Sequence, residues 1–350
     1  MDNLEKQLQE IEEVDYKAIE KAKNWLNSRM KPEGSLGYLE NLAIKIAGIT
    51  GDEFYKIEKS LHIVASADNG IVEEGVSSCP IEYTRVVSEA MLNGFAAIGI
   101  LCKNLNVDLK LVDVGIAEKI KREYPNFYDK NVARGSKNFI YEPALGLENT
   151  LKAIAVGIEL IEENKEKYSI FSNGEMGIGN TTTSSAVLYS LTKGDIDEIV
   201  GRGGGLSDSN LEKKKRLIKE NCEKYNTFEK TPIEVLSIVG GYDIACMVGM
   251  YIGAAKIKKP MLIDGFISSV AALVAVKIEP KIKGYIIGTH MSEEPGMKLV
   301  FNELGLDAPL QMGMRLGEGT GAVFAHPMAK CAMEIMRTMK TKDEVYKIIL

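Results

Sequence analysis

The chain has 350 residues, of which 45% are hydrophobic and 26% are charged, a composition typical of a globular protein with one large and one smaller domain. The formal net charge of −6 argues against a nucleic-acid-binding surface. No apolar run reaches the ~18 residues of a membrane span, and the polar residues 1–9 argue against a signal peptide, so we expect neither nucleic acid nor a membrane as a partner.

A helix is predicted at residues 4–30, where apolar side chains recur at helical spacing among many charges, and Pro32 and Gly34 end it. From residue 61 onward, short apolar runs alternate with longer helical segments, which is typical of a parallel sheet covered by helices on both faces. The predicted strands lie at residues 61–67, 109–114, 169–172, 198–200, 260–263 and 283–287. The predicted helices lie at residues 84–104, 149–164, 182–192, 211–225, 242–258, 267–276, 294–304, 322–339 and 342–350.

The fold class is therefore α/β, with two domains. We expect the N-terminal helix to pair with the last two helices, so that residues 1–40 and 322–350 form a small helical domain and residues 41–321 form a large α/β catalytic domain. Nearly every predicted strand ends in glycine or a small polar residue. Because open α/β sheets bind ligands at the carboxyl ends of their strands, these residues mark one edge of the sheet as the candidate site.

The segment MRLGEGTGA at residues 314–322 places Glu318 between two glycines, directly before a predicted helix. Gly317 and Gly319 let a ligand approach the carboxylate closely, since no Cβ stands in the way. A glutamate with few polar neighbours is a candidate general base with a raised pKa. The alternative is a turn at the helix start, in which the Glu318 carboxylate only caps the first N–H groups.

A second carboxylate, Glu175, follows another apolar strand in the segment SNGEMGIGNTTT at residues 172–183. The hydroxyls at residues 181–185 are consistent with simple helix capping, but together with the amide of Asn180 they exceed what a cap needs. We therefore favour contact with a ligand. Glu175 is suited to bind a ribose hydroxyl, or to orient a water molecule or a second proton acceptor.

The glycine run GRGGG at residues 201–205 suggests a cradle for a phosphate, because bare backbone N–H groups and the dipole of the following helix both favour an anion. It matches neither GxGxxG nor a Walker A loop, so binding of a nucleoside triphosphate has no support. Lys214, in the basic run 213–216, is close enough in sequence to reach such a phosphate. The alternative is a surface loop capped by Ser207 or Asp208.

The five cysteines are dispersed without a CxxC pair, which is typical of reduced cytoplasmic thiols and not of a disulfide framework or a zinc site. The three histidines lie far apart in sequence, so we expect no metal centre. Cys79 precedes Pro80 in a loop over the same sheet edge, but no histidine nearby in sequence supports a nucleophile. Met312 and Met314 are either core residues or part of a flat apolar pocket for an aromatic ring.

These motifs, taken together, resemble the nicotinate-nucleotide:5,6-dimethylbenzimidazole phosphoribosyltransferases of cobamide biosynthesis over most of the chain. The resemblance implies a Rossmann-like parallel sheet with a small helical domain, assembled as a homodimer, with a heterodimer of paralogues as the alternative. The matching segments are KPEGSLGYLE (31–40), ADNG (67–70), GEMGIGNTT (174–182), VGGYD (239–243), LIDGF (262–266) and MRLGEG (314–319).

The resemblance also implies a reaction in which a lower-ligand base displaces nicotinate from nicotinate mononucleotide and gives an α-ribotide, without a cofactor. Glu318 matches the general base of the family, and Glu175 matches a second catalytic carboxylate near the ribose. The residues assigned to substrate binding are Gly174, Gly177, Asn180, Thr181, Thr182, Gly203, Gly204, Gly205, Lys214, Asp264 and Ser292. Those assigned to the pocket for the base are Cys79, Pro80, Tyr83, Val87, Met314 and Leu316.

Departures from the family pattern leave the preferred base open. Asn69 stands where the family commonly has histidine, which removes a titratable group, and Cys79 and Val87 stand where well-known relatives have serine and glutamine. Benzimidazoles, adenine and phenolics such as p-cresol are therefore all candidates. A second hypothesis is a partner subunit that keeps the pocket but turns over poorly alone. A NAD-dependent dehydrogenase is disfavoured, because no GxGxxG follows the first strand.

Overall fold

The computed structural model describes residues 1–350. Its strands are β1 (Ser60–Ala67), β2 (Asp108–Gly115), β3 (Phe127–Asp129), β4 (Ile170–Met176), β5 (Met261–Leu262) and β6 (Ile286–Ile287). They form one sheet in the order β3-β2-β1-β4-β5-β6, and every pair is parallel. This confirms the predicted α/β class with a parallel, Rossmann-like sheet. The strand order reverses between β1 and β4, which is where sheets of this kind bind ligands.

Helices cover the sheet, because its apolar strands need cover on both faces: β4 is buried along its whole length. The helices are α1 (Asp2–Gln9), α2 (Tyr16–Asn27), α3 (Tyr38–Thr50), α4 (Tyr83–Leu92), α5 (Ala97–Asn104), α6 (Leu147–Asn164), α7 (Asn180–Thr192), α8 (Ile196–Ile199), α9 (Asp208–Lys224), α10 (Pro232–Val239), α11 (Tyr242–Lys256), α12 (Phe266–Ile278), α13 (Met297–Leu304), α14 (Thr320–Val323), α15 (Ala325–Thr338) and α16 (Lys342–Ile349).

The predicted strand at residues 198–200 is wrong, because the short helix α8 occupies most of it. The Asp195 side chain accepts a hydrogen bond from the backbone N–H of Asp197 at 2.9 Å and so caps this helix. The predicted helix at residues 4–30 is two helices, α1 and α2. Asp15 caps the second by accepting from the N–H groups of Lys17 and Ala18 at 2.8 and 3.0 Å.

The predicted helix at residues 84–104 is also two helices, α4 and α5. Gly94, at φ +73°, lies in the turn that separates them. This break matters because the stretch Tyr83–Asn104 is by length and composition apolar enough to cross a membrane. The two helices have 10 and 8 residues, and each is far shorter than the ~20 residues that a span requires.

The sequence patterns did not predict three elements, which are strand β3 and helices α3 and α10. Strand β3 has only three residues, too few to show a pattern. Helix α10 has a readable signal, since Thr231 and Glu234 form a capping box around Pro232.

The two ends of the chain pack together. The Trp25 indole on α2 donates a hydrogen bond to the Met336 carbonyl on α15 at 2.9 Å, and both helices pack against α3. Leu26 and Met336 belong to the same buried apolar core as the central strands. Residue 40, the predicted domain boundary, lies inside α3. Helix α3, which crosses this boundary, packs with the helices α2 and α15 of the two terminal segments.

Candidate active site

The carboxyl edge of the sheet holds a cavity of about 600 Å³. Its walls come from the end of β4, the start of α7, Gly203 and Gly204 of the glycine run, the residues after β5 and the turn before α14. The motifs that lie far apart in sequence therefore meet in one place. The predicted site residues that line the cavity are Cys79, Tyr83, Val87, Glu175, Gly177, Asn180, Thr181, Gly203, Gly204, Asp264, Ser292, Leu316 and Glu318.

Glu318 lies in a tight turn of three consecutive residues with positive φ: Gly317 at +83°, Glu318 at +63° and Gly319 at +89°. Glycine is required on both sides. A Cβ at Gly317 would lie 2.5 Å from Glu175 Oε1, and one at Gly319 would overlap the ring of His62. The left-handed conformation of Glu318 is unfavourable for a residue with a Cβ, and strain of this kind concentrates at functional sites.

Asp264, not Glu318, caps the helix that follows this turn. The Asp264 carboxylate accepts hydrogen bonds from the N–H groups of Gly319, Gly321 and Ala322 at 3.1, 2.9 and 3.0 Å. The alternative in which Glu318 only caps the next helix is therefore wrong. Asp264, assigned to substrate binding, lines the cavity, but both its oxygens already hold the turn in place.

Glu318 is 9% exposed, and its Oε2 is buried without a hydrogen-bond partner. Burial raises the pKa of Glu318 above its ordinary value, the backbone N–H of Ile98 opposes this rise, and repulsion by Asp264 adds to it. Glu318 lines the cavity, one of its carboxylate oxygens has no partner, and its proton affinity is raised, so it is suited to act as a general base.

Glu175 ends strand β4 and shares one amide with a second acid. Asn180 Nδ2 donates to Glu175 Oε2 and also to Asp243 Oδ2, the latter at 2.9 Å. Burial, with repulsion from Asp243, raises the pKa of Glu175 to about 8, and burial raises the pKa of Asp243 to about 6. Glu175 therefore holds a proton at neutral pH, whereas Asp243 is mostly ionised. Glu175 and Glu318 both line the cavity, and both bind a proton more tightly than an exposed glutamate does.

Lys214 supports the glycine run from behind, without lining the cavity. Its buried ammonium donates to Thr181 Oγ1 and to the Gly201 carbonyl, both at 3.1 Å. Burial lowers the pKa of Lys214 to about 8, although the charge of Glu294 acts in the opposite direction. A Cβ at Gly203 would lie 2.9 Å from Thr181 Oγ1, so the run packs closely on α7. The loop, the helix start and the buried cation together form an anion-favouring wall.

The remaining assigned residues lie around the cavity or outside it. Ser207 caps α9 by accepting a hydrogen bond from the Asn210 N–H at 3.4 Å. The capping role predicted for this serine is therefore confirmed, and it is compatible with a phosphate site at the glycine run. Gly174 packs under the turn of Glu318. The assigned residues that do not line the cavity are Gly174, Thr182, Gly205, Lys214, Pro80 and Met314.

Several lining residues were not assigned from the sequence. Phe266 and His290 follow the ends of β5 and β6, so the rule that places ligands at strand ends could have found them. Arg315, three residues before Glu318, adds a cation to the wall, whereas Glu294 gives no signal in sequence. The unassigned polar, charged and aromatic lining residues are Ser77, Ser78, Phe266, Ser268, His290, Glu294 and Arg315.

Comparisons with known proteins agree with this architecture. A family described as Phosphoribosyltransferase matches residues 11–345. Nicotinate-nucleotide–dimethylbenzimidazole phosphoribosyltransferase of Clostridium perfringens is 43% identical over 338 residues, covering 96% of this chain and 93% of the relative. The enzyme of the same name from Clostridium tetani is 42% identical over 342 residues, covering 97% and 94%.

Solved structures extend the similarity to three dimensions. The crystal structure of CobT from Thermus thermophilus superposes with a TM-score of 0.90 at 31% identity, covering 94% of this chain and 98% of that one. A second structure, described as the nicotinate-nucleotide–dimethylbenzimidazole phosphoribosyltransferase of the same organism, also has a TM-score of 0.90, at 30% identity over 95% and 99%. The chain therefore belongs to the nicotinate-nucleotide–dimethylbenzimidazole phosphoribosyltransferase family.

Proposed function

We propose that this chain transfers the phosphoribosyl group of nicotinate mononucleotide to 5,6-dimethylbenzimidazole for assembly of the cobamide nucleotide loop. The products are nicotinate and the α-ribotide, α-ribazole 5′-phosphate. One observation carries the proposal: Glu318, whose Oε2 is buried without a hydrogen-bond partner, lines the same cavity as Glu175 and as Gly203 and Gly204 of the glycine run. The enzyme names of the relatives support the same activity.

The reaction is a displacement at the anomeric carbon of the ribose. The bond from this carbon to the pyridine nitrogen breaks, and its electron pair leaves with nicotinate, which removes the positive charge of the ring. A nitrogen lone pair of the incoming base forms the new bond on the opposite face, and the other ring nitrogen gives its proton to Glu318. Holding both substrates in line contributes on the order of 7–11 kcal/mol in favourable cases.

The roles of the remaining residues follow from charge and position. The phosphate is placed at the glycine run, where Gly203 and Gly204 line the cavity without side chains and the buried Lys214 supplies positive charge. The ribose is placed beside Asn180 and Glu175. Protonated Glu175 can donate a hydrogen bond to a ribose oxygen without placing a second negative charge beside Glu318.

The base is placed against Cys79, Tyr83, Val87 and Leu316, a wall of apolar and weakly polar side chains. Such a wall suits a flat aromatic ring. The relatives described above are named for dimethylbenzimidazole, which favours that base over a phenol. The unpartnered Glu318 oxygen favours an active chain over a low-activity partner subunit.

We further propose a homodimer. Helices α4 and α5 and the turn between them expose large apolar side chains: Tyr83, which lines the cavity, and Val86 are each 48% exposed, Phe95 in the turn is 78% exposed and Ile100 is 50% exposed. A second copy would remove this surface from water. The five free thiols suit a reducing cytoplasm, and the packing of α3 on α2 and α15 suits a small helical domain formed by both ends of the chain.

The test is incubation of the purified chain with nicotinate mononucleotide and a panel of benzimidazoles, purines and phenols, with nicotinate measured by chromatography and ribotides by mass. We expect α-ribazole 5′-phosphate to form fastest. Absence of nicotinate release with every base would contradict the proposed function. Light scattering of the same sample measures the oligomeric state, and a monomer, or a complex that needs a paralogue, would contradict the homodimer.

A further inference from the structure

Three buried polar side chains form a continuous chain of hydrogen bonds under the turn of Glu318. His62 on β1 lies 2.7 Å from Ser172 on β4, measured from Nδ1 to Oγ, and Ser172 Oγ lies 2.7 Å from His326 Nε2 on α15. At the other end, His62 Nε2 lies 3.1 Å from the backbone carbonyl oxygen of Glu318. All three side chains are buried, and neither histidine lines the cavity.

The direction of every hydrogen bond in this chain follows from its ends. Burial lowers the pKa of His62 to about 4 and that of His326 to about 3, so each ring is neutral and carries one proton. A carbonyl oxygen only accepts, so His62 Nε2 bears its proton and His62 Nδ1 accepts from the Ser172 hydroxyl. The Ser172 oxygen must then accept from His326 Nε2.

This assignment leaves His326 Nδ1 without a proton. Among the ring nitrogens and the hydroxyl of His62, Ser172 and His326, that atom is the one that is buried without a partner. Every donor therefore points the same way, from α15 through the two central strands to the Glu318 carbonyl. The peptide group between Glu318 and Gly319 is held from both sides, because its N–H donates to Asp264 at 3.1 Å. The His62 ring also fills the space that a Cβ at Gly319 would need.

We propose that His62 is a positioning residue for Glu318: its Nε2–H, oriented by Ser172 and His326, fixes the left-handed Glu318 backbone so that the carboxylate meets the incoming base. The role of the turn in proton transfer rests on the proposed function. His62 itself exchanges no proton with substrate, since it does not reach the cavity. The expected consequence is an effect on kcat with little effect on the KM for nicotinate mononucleotide.

Two amide substitutions separate this role from simple packing. In His62→Gln, the longer amide can place an N–H near the position of Nε2 and still donate to the Glu318 carbonyl. In His62→Asn, the shorter amide reaches only the position of Nδ1, so it keeps the contact with Ser172 and loses the donor. We expect His62→Gln to keep most of the wild-type kcat and His62→Asn to lose about tenfold or more, at similar KM for nicotinate mononucleotide.

Thermal unfolding of both variants provides the control. If His62 only fills space, both substitutions lower stability and activity together, and equal kcat values for the two variants overturn the proposal. Should His62→Asn fail to fold, Ser172→Ala gives a milder test. It removes the hydroxyl that fixes the His62 tautomer, and we expect a partial loss of kcat, whereas an unchanged kcat contradicts the proposal.

The hydrogen-bond direction is also testable without activity, which separates this inference from the proposed function. Nitrogen NMR of the ¹⁵N-histidine-labelled protein distinguishes the two neutral tautomers and the cation. We expect His62 and His326 both as neutral Nε2–H tautomers from about pH 6 to about pH 8. A charged His62, or a proton on His62 Nδ1, overturns the proposal even if nicotinate release is observed. An expected NMR result with no release of nicotinate would contradict the proposed function alone.

Discussion

Gly174 lies directly against the backbone of Glu318: a Cβ at residue 174 would stand 2.5 Å from the carbonyl carbon, the carbonyl oxygen and the following nitrogen of Glu318. The contact seats the Glu318 turn on β4, one residue before Glu175. One central strand therefore fixes both candidate carboxylates. Gly174 was assigned to substrate binding, and its position outside the cavity gives it a different proposed task, which is to let the turn approach the sheet.

The first prediction concerns this close approach. In Gly174→Ala, the added methyl group must push the turn away from β4, since the opposing atoms are backbone. We expect kcat to fall about tenfold or more, while the KM for nicotinate mononucleotide changes little because the glycine run is not on this turn. Steady-state kinetics measure both constants, and an unfolding scan verifies that the variant is folded. A folded variant with wild-type kcat would show that the turn tolerates displacement.

The second prediction concerns the Glu318 side chain. Glu318→Gln keeps the shape of the residue and removes its ability to take a proton, so nicotinate release should fall by about 10²- to 10⁴-fold at similar affinity for nicotinate mononucleotide. Glu198→Gln, an exposed glutamate on α8, is the matched control and should retain wild-type rates. Full activity of Glu318→Gln would remove Glu318 as the base.

The sequence predicted the parallel sheet and most of its helices, because continuous apolar strands and amphipathic helices have different periodicities. It also predicted that the residues at strand ends would share one edge. It failed where a single cap decides the structure: Asp195 starts a helix where an apolar run predicts a strand, and Asp15 divides a long amphipathic segment.

The site could be predicted only as far as local motifs reach. Glycines on both sides of Glu318 signalled a close approach, but the partners that require them, Glu175 and His62, lie more than a hundred residues away in sequence. Likewise, no spacing rule connects Asp264 with the helix that it caps. Long-range contacts of this kind depend on the register of β1, β4 and β5, which a single sequence does not determine.

The third prediction concerns the pH dependence of kcat. Glu175 is protonated below about pH 8, since burial and the neighbouring Asp243 raise its pKa to that value. If the protonated form donates to the ribose, kcat falls as pH rises through about 8. Glu175→Gln keeps a hydrogen-bond donor that does not titrate, so its kcat should lack this alkaline fall. A wild-type profile that stays flat to pH 9, or an unchanged fall in the variant, would contradict this role.

The fourth prediction concerns stability. The folded state binds the Glu175 proton more tightly than the unfolded state does, because the folded pKa is about 8 and the ordinary value is 4.5. Its contribution to stability is therefore fully present below pH 4.5 and is lost as pH rises through about 8. The quantity to compare is the free energy of unfolding of Glu175→Gln minus that of wild type. This difference should be larger at pH 9 than at pH 5, by on the order of a few kcal/mol. Urea titrations at the two pH values measure this difference, and a gain that is equal at both would contradict a raised pKa.

The last prediction concerns the buried cation behind the glycine run. Burial lowers the pKa of Lys214 to about 8, so the ammonium loses its proton as pH rises past that value, and the KM for nicotinate mononucleotide should rise with it. Lys214→Met should raise KM about tenfold at neutral pH and leave it nearly independent of pH. Lys219→Met, an exposed lysine on the same helix, is the control and should match wild type. Because the effect of Lys214 is expected in KM and that of Glu175 in kcat, the two groups are separable although both titrate near pH 8. A Lys214→Met variant with normal KM for nicotinate mononucleotide would show that the phosphate is bound without this charge.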